Sequence, residues 1–212
     1  MVLQSGAQLR RGVPVSDLER IASSLGPITC DPRHPEPVRF IRPQERSVAT
    51  PNSLSSRYGT GMFPFHTDAA HWRDPPDYLL LYCLRPGAAN RATLLLDAAA
   101  LPLTKTERNL LRYGVWRAAH RRPFLATVVD GPTENETWRF DRDCMRPWSP
   151  TAGAATAVLD RVLNERAAVV HNWLAGDLLI LPNRHVLHAR AQAYGPDGDR
   201  VLARVLVGGR HA

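Results

Sequence analysis

The stretch Phe63-Pro64-Phe65-His66-Thr67-Asp68 decides how this chain is read. Positions i and i+2 of an extended strand point the same way, so His66 and Asp68 present an imidazole and a carboxylate to one side. A third ligand from a distant strand would complete two nitrogens and one oxygen on one side of a metal. That facial set leaves coordination positions open and belongs to non-haem Fe(II) oxygen chemistry. His188 is the candidate for the third position. His185, three residues earlier, is its competitor.

Spacing sharpens the reading. Twenty-four residues separate Asp68 from Thr93, and eleven separate His188 from Arg200. In this order, with their flanking words, the five positions resemble the Fe(II)/2-oxoglutarate-dependent dioxygenases of the TauD/TfdA (taurine dioxygenase) family. The carrying segments are Phe63–Asp68, Asp77–Pro86, Gly176–Ile180 and Asn183–Arg190. Asp199-Arg200-Val201-Leu202 is similar to clavaminate-synthase-like members. The likeness runs from about Phe63 to Val207 and is loose over residues 98–165.

The resemblance implies a double-stranded β-helix, or jelly roll. It implies Fe(II) on His66, Asp68 and His188, with 2-oxoglutarate and O2 as cosubstrates. It places Arg200 and Thr93 on the far carboxylate of 2-oxoglutarate. It selects His188 over His185, because only His188 stands eleven residues before Arg200. Halogenating relatives have Ala or Gly in place of the carboxylate. Asp68 therefore implies hydroxylation, or another oxidative outcome such as desaturation or cyclisation. The implied substrate is a small molecule, an amino acid or a natural-product intermediate.

The residues themselves leave alternatives open. Arg200 and Arg204 share a strand face with Leu202 and Leu206, so both faces of that strand read as partly buried. A guanidinium stays charged and needs an anion when buried. For Arg204 that anion is an internal carboxylate, an acidic group of the substrate, or the cosubstrate. Thr93 has the bland reading of a strand threonine. His71 and Arg139 either line the substrate mouth or sit in solvated, salt-bridged loops. A cupin-like metalloenzyme working without 2-oxoglutarate would need neither Thr93 nor Arg200. A non-catalytic binding protein could retain the barrel alone.

Composition bounds the rest. The 212 residues suit one domain spanning 1–212, and 44% hydrophobic with 22% charged residues is ordinary for a folded globular chain. The net charge of +7 is carried mostly by scattered arginines interleaved with acids, Lys105 being the only lysine. That dispersal, with no run of five like charges, argues against a nucleic-acid partner. No apolar run spans a bilayer, and the first residues lack a secretory pattern. Cys30, Cys83 and Cys144 are too few and too scattered for a disulfide framework. The expectation is a cytoplasmic protein with reduced thiols and no membrane partner; oligomerisation is left open.

Periodicity predicts a mostly β (α+β) chain with a few flanking helices. Helices are expected after Ser16-Asp17-Leu18-Glu19, after the capping box Thr104-Lys105-Thr106-Glu107, and over Ala152–Arg166. Strands are expected at Val38–Ile41, Phe63–Thr67, Tyr78–Leu84, Ala92–Leu96, Asp177–Leu181, Val186–His188 and Arg200–Val207. Phe124–Val129 and Thr137–Phe140 read as a hairpin turning at Asp130-Gly131-Pro132. Residues 42–62 read as a long loop beside the metal strand, a mobile cover for the site.

Overall fold

A computed structural model of the chain describes residues 6–31, 34–49, 54–165, 167–194 and 197–209. Among these, two antiparallel sheets dominate. The larger runs Gln8–Arg10, Leu178–Pro182, Tyr78–Arg85, Val201–Val207, Ile28–Thr29, with Arg39–Ile41 also pairing Val201–Val207. The smaller runs Val169–His171, Thr93–Asp97, Val186–Arg190, Phe63–His66.

Side-chain alternation sorts the apolar residues into layers. Leu79, Leu81, Cys83, Leu202 and Leu206 of the larger sheet share one cluster with Leu95 and Val186 of the smaller. Leu80, Tyr82, Ala203 and Val205, one position out of phase, pack on Leu18, Ile21 and Ala22 of the helix Leu18–Leu25. The smaller sheet's other face gives Leu96 and Leu187 to a cluster with the helices Lys105–Tyr113 and Pro150–Glu165. A strand buried on both faces loses the clean polar alternation, which is why Tyr78–Arg85 reads as a continuous apolar run. Two sheets with helices on their outer faces give three apolar clusters stacked in layers.

The helices and strands stand close to where the sequence puts them. Thr104 and Glu107 form the full reciprocal capping box. Ser16 does not cap the first helix: a 3-10 turn, Val15–Asp17, precedes it, and backbone carbonyls of Pro14 and Val15 take the N–H groups of Asp17 and Leu18. Arg166, the expected end of the last helix, lies outside the described residues. The expected hairpin divides. Only Val129–Asp130 pairs Thr137–Trp138, while Phe124–Ala126 pairs Trp116–Ala118, a strand that buries Trp116 and Ala118. Within 42–62 the structure shows a 3-10 turn, Arg46–Val48, and the helix Leu54–Tyr58; residues 50–53 are outside the description. No helix among the described residues is long and apolar enough to cross a membrane.

Two substitutions test this frame. Thr104→Ala removes the N-cap acceptor and should cost about 1 kcal/mol in denaturant unfolding. Leu80→Ala empties a fully buried position between sheet and helix and should cost about 2–5 kcal/mol.

Candidate metal centre

His66 is the last residue of the strand Phe63–His66, and the register sets it opposite His188. Their rings lie with centroids 4.1 Å apart. Asp68 stands two residues past the strand end, in a turn rather than on the strand. Ala69, next in line, has φ 56°, the left-handed region that a residue with a Cβ seldom enters. The chain turns away there and leaves the carboxylate facing the imidazoles.

One carboxylate oxygen faces both rings. Asp68 Oδ1 is 3.4 Å from His66 Nε2 and 3.6 Å from His188 Nε2. The three ligand atoms all lie within 4.8 Å of one another, and all three residues are buried. The set fits a divalent cation: the 3.4 and 3.6 Å spacings around Asp68 Oδ1 suit an ion with ~2.1 Å bonds to nitrogen and oxygen. His66 Nδ1 lies 3.0 Å from the Pro64 carbonyl, which takes that nitrogen's proton and leaves Nε2 as the ligand.

Electrostatics agree with that assignment. Burial opposes ionisation of Asp68. Arg204, His188 and His66 more than offset it and hold the carboxyl well below its usual range. Burial, then the neighbouring His66, push His188 down to about 4, so it is neutral at neutral pH. Burial works against charge on His66 too, but Asp68 outweighs it and the imidazole is raised. Arg204 Nη1 contacts Asp68 Oδ2 at 3.0 Å, so the two carboxylate oxygens have separate partners. Of the anions considered for Arg204, the internal carboxylate is the one present.

Asn183 holds the loop. Its Oδ1 accepts from the Asp68 N–H at 2.7 Å, and its Nδ2 donates to the carbonyls of Asp68 and Pro76 at 3.0 and 2.9 Å. Thr67 pairs both ways with the Phe140 backbone on the other side. Asn183 stood in the sequence only as part of a flanking word. Its position five residues before His188 is the signal that could have singled it out.

Thr93 and Arg200 are both buried. Thr93 Oγ1 accepts a hydrogen bond from Trp173 Nε1 at 3.1 Å, leaving its own proton to donate elsewhere. Trp173 is fully buried, and a packing role alone understates it. Arg200 Nε has no hydrogen-bond partner, and no carboxylate lies within ion-pair distance of its guanidinium among the described residues. A buried guanidinium left that way marks a seat for an anion.

His71 and Arg139 are not among the converging ligand residues. Arg139 donates to the carbonyls of Ala70, Trp72 and Arg73 and lies over the Phe124 ring, bracing the segment after Asp68. With Arg73, Phe124 and Arg184 it lines an open concavity of about 600 Å³ that holds no ligand residue of the centre. His71 lies against Trp72. His185 sits in the turn before Val186–Arg190 and is not part of the cluster.

With that geometry established, comparison with known proteins is informative. The family model described as Taurine catabolism dioxygenase TauD, TfdA family matches residues 1–147 and 149–206. Clavaminate synthase 2 of Streptomyces clavuligerus is 31% identical over 171 residues, 73% of this chain and 52% of that protein. L-asparagine oxygenase of Streptomyces coelicolor is 28% identical over 163 residues, 70% of this chain and 48% of that protein. The chain thus spans about half the length of these curated relatives. Asparagine oxygenase solved in complex with Fe(II), 2S,3S-3-hydroxyasparagine and succinate superposes with a TM-score of 0.75. It is 24% identical over 96% of this chain and 74% of that one, a likeness of fold.

Asn183→Ala should weaken divalent-metal binding about 10–100-fold, because the Asp68 backbone loses its anchor. Titration of Mn(II) by electron paramagnetic resonance reads this directly. Unchanged affinity would leave Asn183 with no part in shaping the centre.

Proposed function

This chain belongs to the TauD/TfdA family, and from that membership we propose that it is an Fe(II)- and 2-oxoglutarate-dependent oxygenase acting on an amino acid or an amino-acid-like intermediate. The observation that carries the reading is the buried set of His66, Asp68 and His188, with Arg200 buried in the same fold and making no ion pair among the described residues. The relatives support the substrate class: one is an asparagine oxygenase whose solved complex holds hydroxyasparagine and succinate, and another is a clavaminate synthase. The two facing sheets are read as the halves of a double-stranded β-helix. Of the cover read over 42–62, the described end is tied where Arg190 donates to the carbonyls of Gly59 and Gly61.

His66, Asp68 and His188 would hold the iron on one face, leaving the other positions for cosubstrate and O2. Iron supplies the one-electron chemistry that couples conversion of 2-oxoglutarate to succinate and CO2 with oxidation of a substrate C–H bond. The side chains bind and orient. Arg200 receives the far carboxylate in a charge-assisted contact, and the Thr93 hydroxyl, turned by Trp173, donates to it. Arg204 keeps Asp68 Oδ2 occupied, so Oδ1 alone turns to the metal. Arg204, partly exposed beside Asp68, is read as a further contact for an acidic group of the substrate. Buried walls exclude water, and fixed orientation of this kind is worth ~7–11 kcal/mol of barrier.

A cupin-like enzyme without 2-oxoglutarate would not need a buried, unpaired Arg200, so the cosubstrate decides between the readings. Anaerobic addition of 2-oxoglutarate to the Fe(II) protein should produce the weak visible charge-transfer band of the chelate. No band at saturating concentrations would overturn the proposal. Arg200→Gln should weaken 2-oxoglutarate by tenfold or more, ~1.4 kcal/mol, with metal affinity unchanged. Asp68→Ala should abolish substrate-coupled succinate release, measured against a panel of amino acids.

A further inference from the structure

Arg91 is the least explained charge in the molecule. Its side chain is 0% exposed, as is that of Asp197, and Arg91 Nε lies 3.1 Å from Asp197 Oδ2. None of its guanidinium nitrogens makes a hydrogen bond of good geometry, and neither does either oxygen of Asp197. A pair this dry and this poorly bonded gives little stability for its desolvation cost, so packing alone does not explain it.

Its position is tightly fixed. Arg91 stands two residues before Thr93, and both flanks are stitched to Trp173. Asn90 Oδ1 accepts from the Trp173 N–H, and Thr93 Oγ1 accepts from the indole. The Ala92 carbonyl accepts from the Ala191 N–H. Asp197 is held close to Arg200, whose N–H donates to the Asp197 carbonyl. Gly87 lets the two approach: with φ 79°, a Cβ there would fall 2.7 Å from Asp197 Oδ1 and 2.9 Å from Arg200 Cβ. The Asp197 carboxylate is thus within the field of both guanidiniums, yet it pairs with Arg91 and leaves Arg200 without an ion pair among the described residues.

We propose that Arg91 is a positioning residue for the cosubstrate seat: by holding the Asp197 carboxylate, it keeps Arg200 free to receive an incoming dicarboxylate. Asp197 is a built-in competitor for Arg200. Without Arg91 the cations left within the field of this buried carboxylate are Arg200 and Arg190, and Arg190 already donates to the carbonyls of Gly59 and Gly61. Arg200 is then the partner open to Asp197, and the internal pair would displace the ligand. The inference rests on reading Arg200 as the contact for that ligand.

The test uses the Mn(II)-loaded full chain and isothermal titration with 2-oxoglutarate, so that no turnover is involved. Arg91→Met should weaken binding about tenfold or more. Asp197→Asn should bind at least as tightly as the wild type. The double variant Arg91→Met/Asp197→Asn should return to within about threefold of it, because competitor and guard leave together. Mn(II) affinity should stay constant throughout. A double variant as weak as Arg91→Met would overturn the inference by showing that Arg91 acts through structure or by direct contact. So would unchanged binding in Arg91→Met while the wild type binds normally; the functional reading would then survive. If Arg91→Met does not fold, Asp197→Asn and the double variant carry the test, and a tenfold loss in either is fatal. A wild type that ignores 2-oxoglutarate would end both proposals together.

Discussion

The carboxylate of Asp68 is the point on which the site depends. Two imidazoles share one of its oxygens and Arg204 takes the other. The carboxylate does not stand on a strand that would fix it. It stands in a turn, beside a residue in the left-handed region, and Asn183 grips the backbone on both sides of it. Removing any one of these contacts frees the carboxylate in a place where burial already opposes its charge.

The sheets make that convergence available. His66 and His188 meet because their strands are neighbours in antiparallel register, and Thr93 joins them through the strand on the other side of His188. The opposing sheet carries Arg204 on the strand Val201–Val207, with Arg200 immediately before it. Between the sheets lies an apolar cluster in which Trp173 is fully buried, with its one polar atom spent on Thr93. Apolar packing therefore orients the hydroxyl as well as excluding water.

Positive charge is handled in two ways. On the surface the arginines pair with nearby acids, as Arg161 does with Glu107 and Glu165. Inside, Arg91, Arg200 and the half-buried Arg190 all feel the carboxylate of Asp197, and burial first, then neighbouring guanidiniums, lower the hold of Arg190 and Arg200 on a proton. Guanidiniums that outnumber the carboxylate beside them are costly to bury. The net +7 of the chain says nothing of this, because surface and interior arginines count alike in it.

The sequence by itself determined the elements and the ligand set. Apolar alternation and the Thr104–Glu107 box are local patterns, and burial enforces them; the set of His66, Asp68, His188 and Arg200 spans much of the chain and was legible through its likeness to a family spacing. It also carried Thr93, though not the tryptophan that aims it. Tertiary structure alone decided the partners. Arg204 facing Asp68, Asn183 clamping a turn 115 residues away, and Arg91 meeting Asp197 are long-range pairings with no periodic trace. Arg139 was open in the sequence between the substrate mouth and a salt-bridged loop; its guanidinium donates to the carbonyls of Ala70, Trp72 and Arg73, contacts no sequence pattern foretells. A hydrogen bond across the fold depends on which backbone groups the sheets leave over, and that is settled only once the chain is packed.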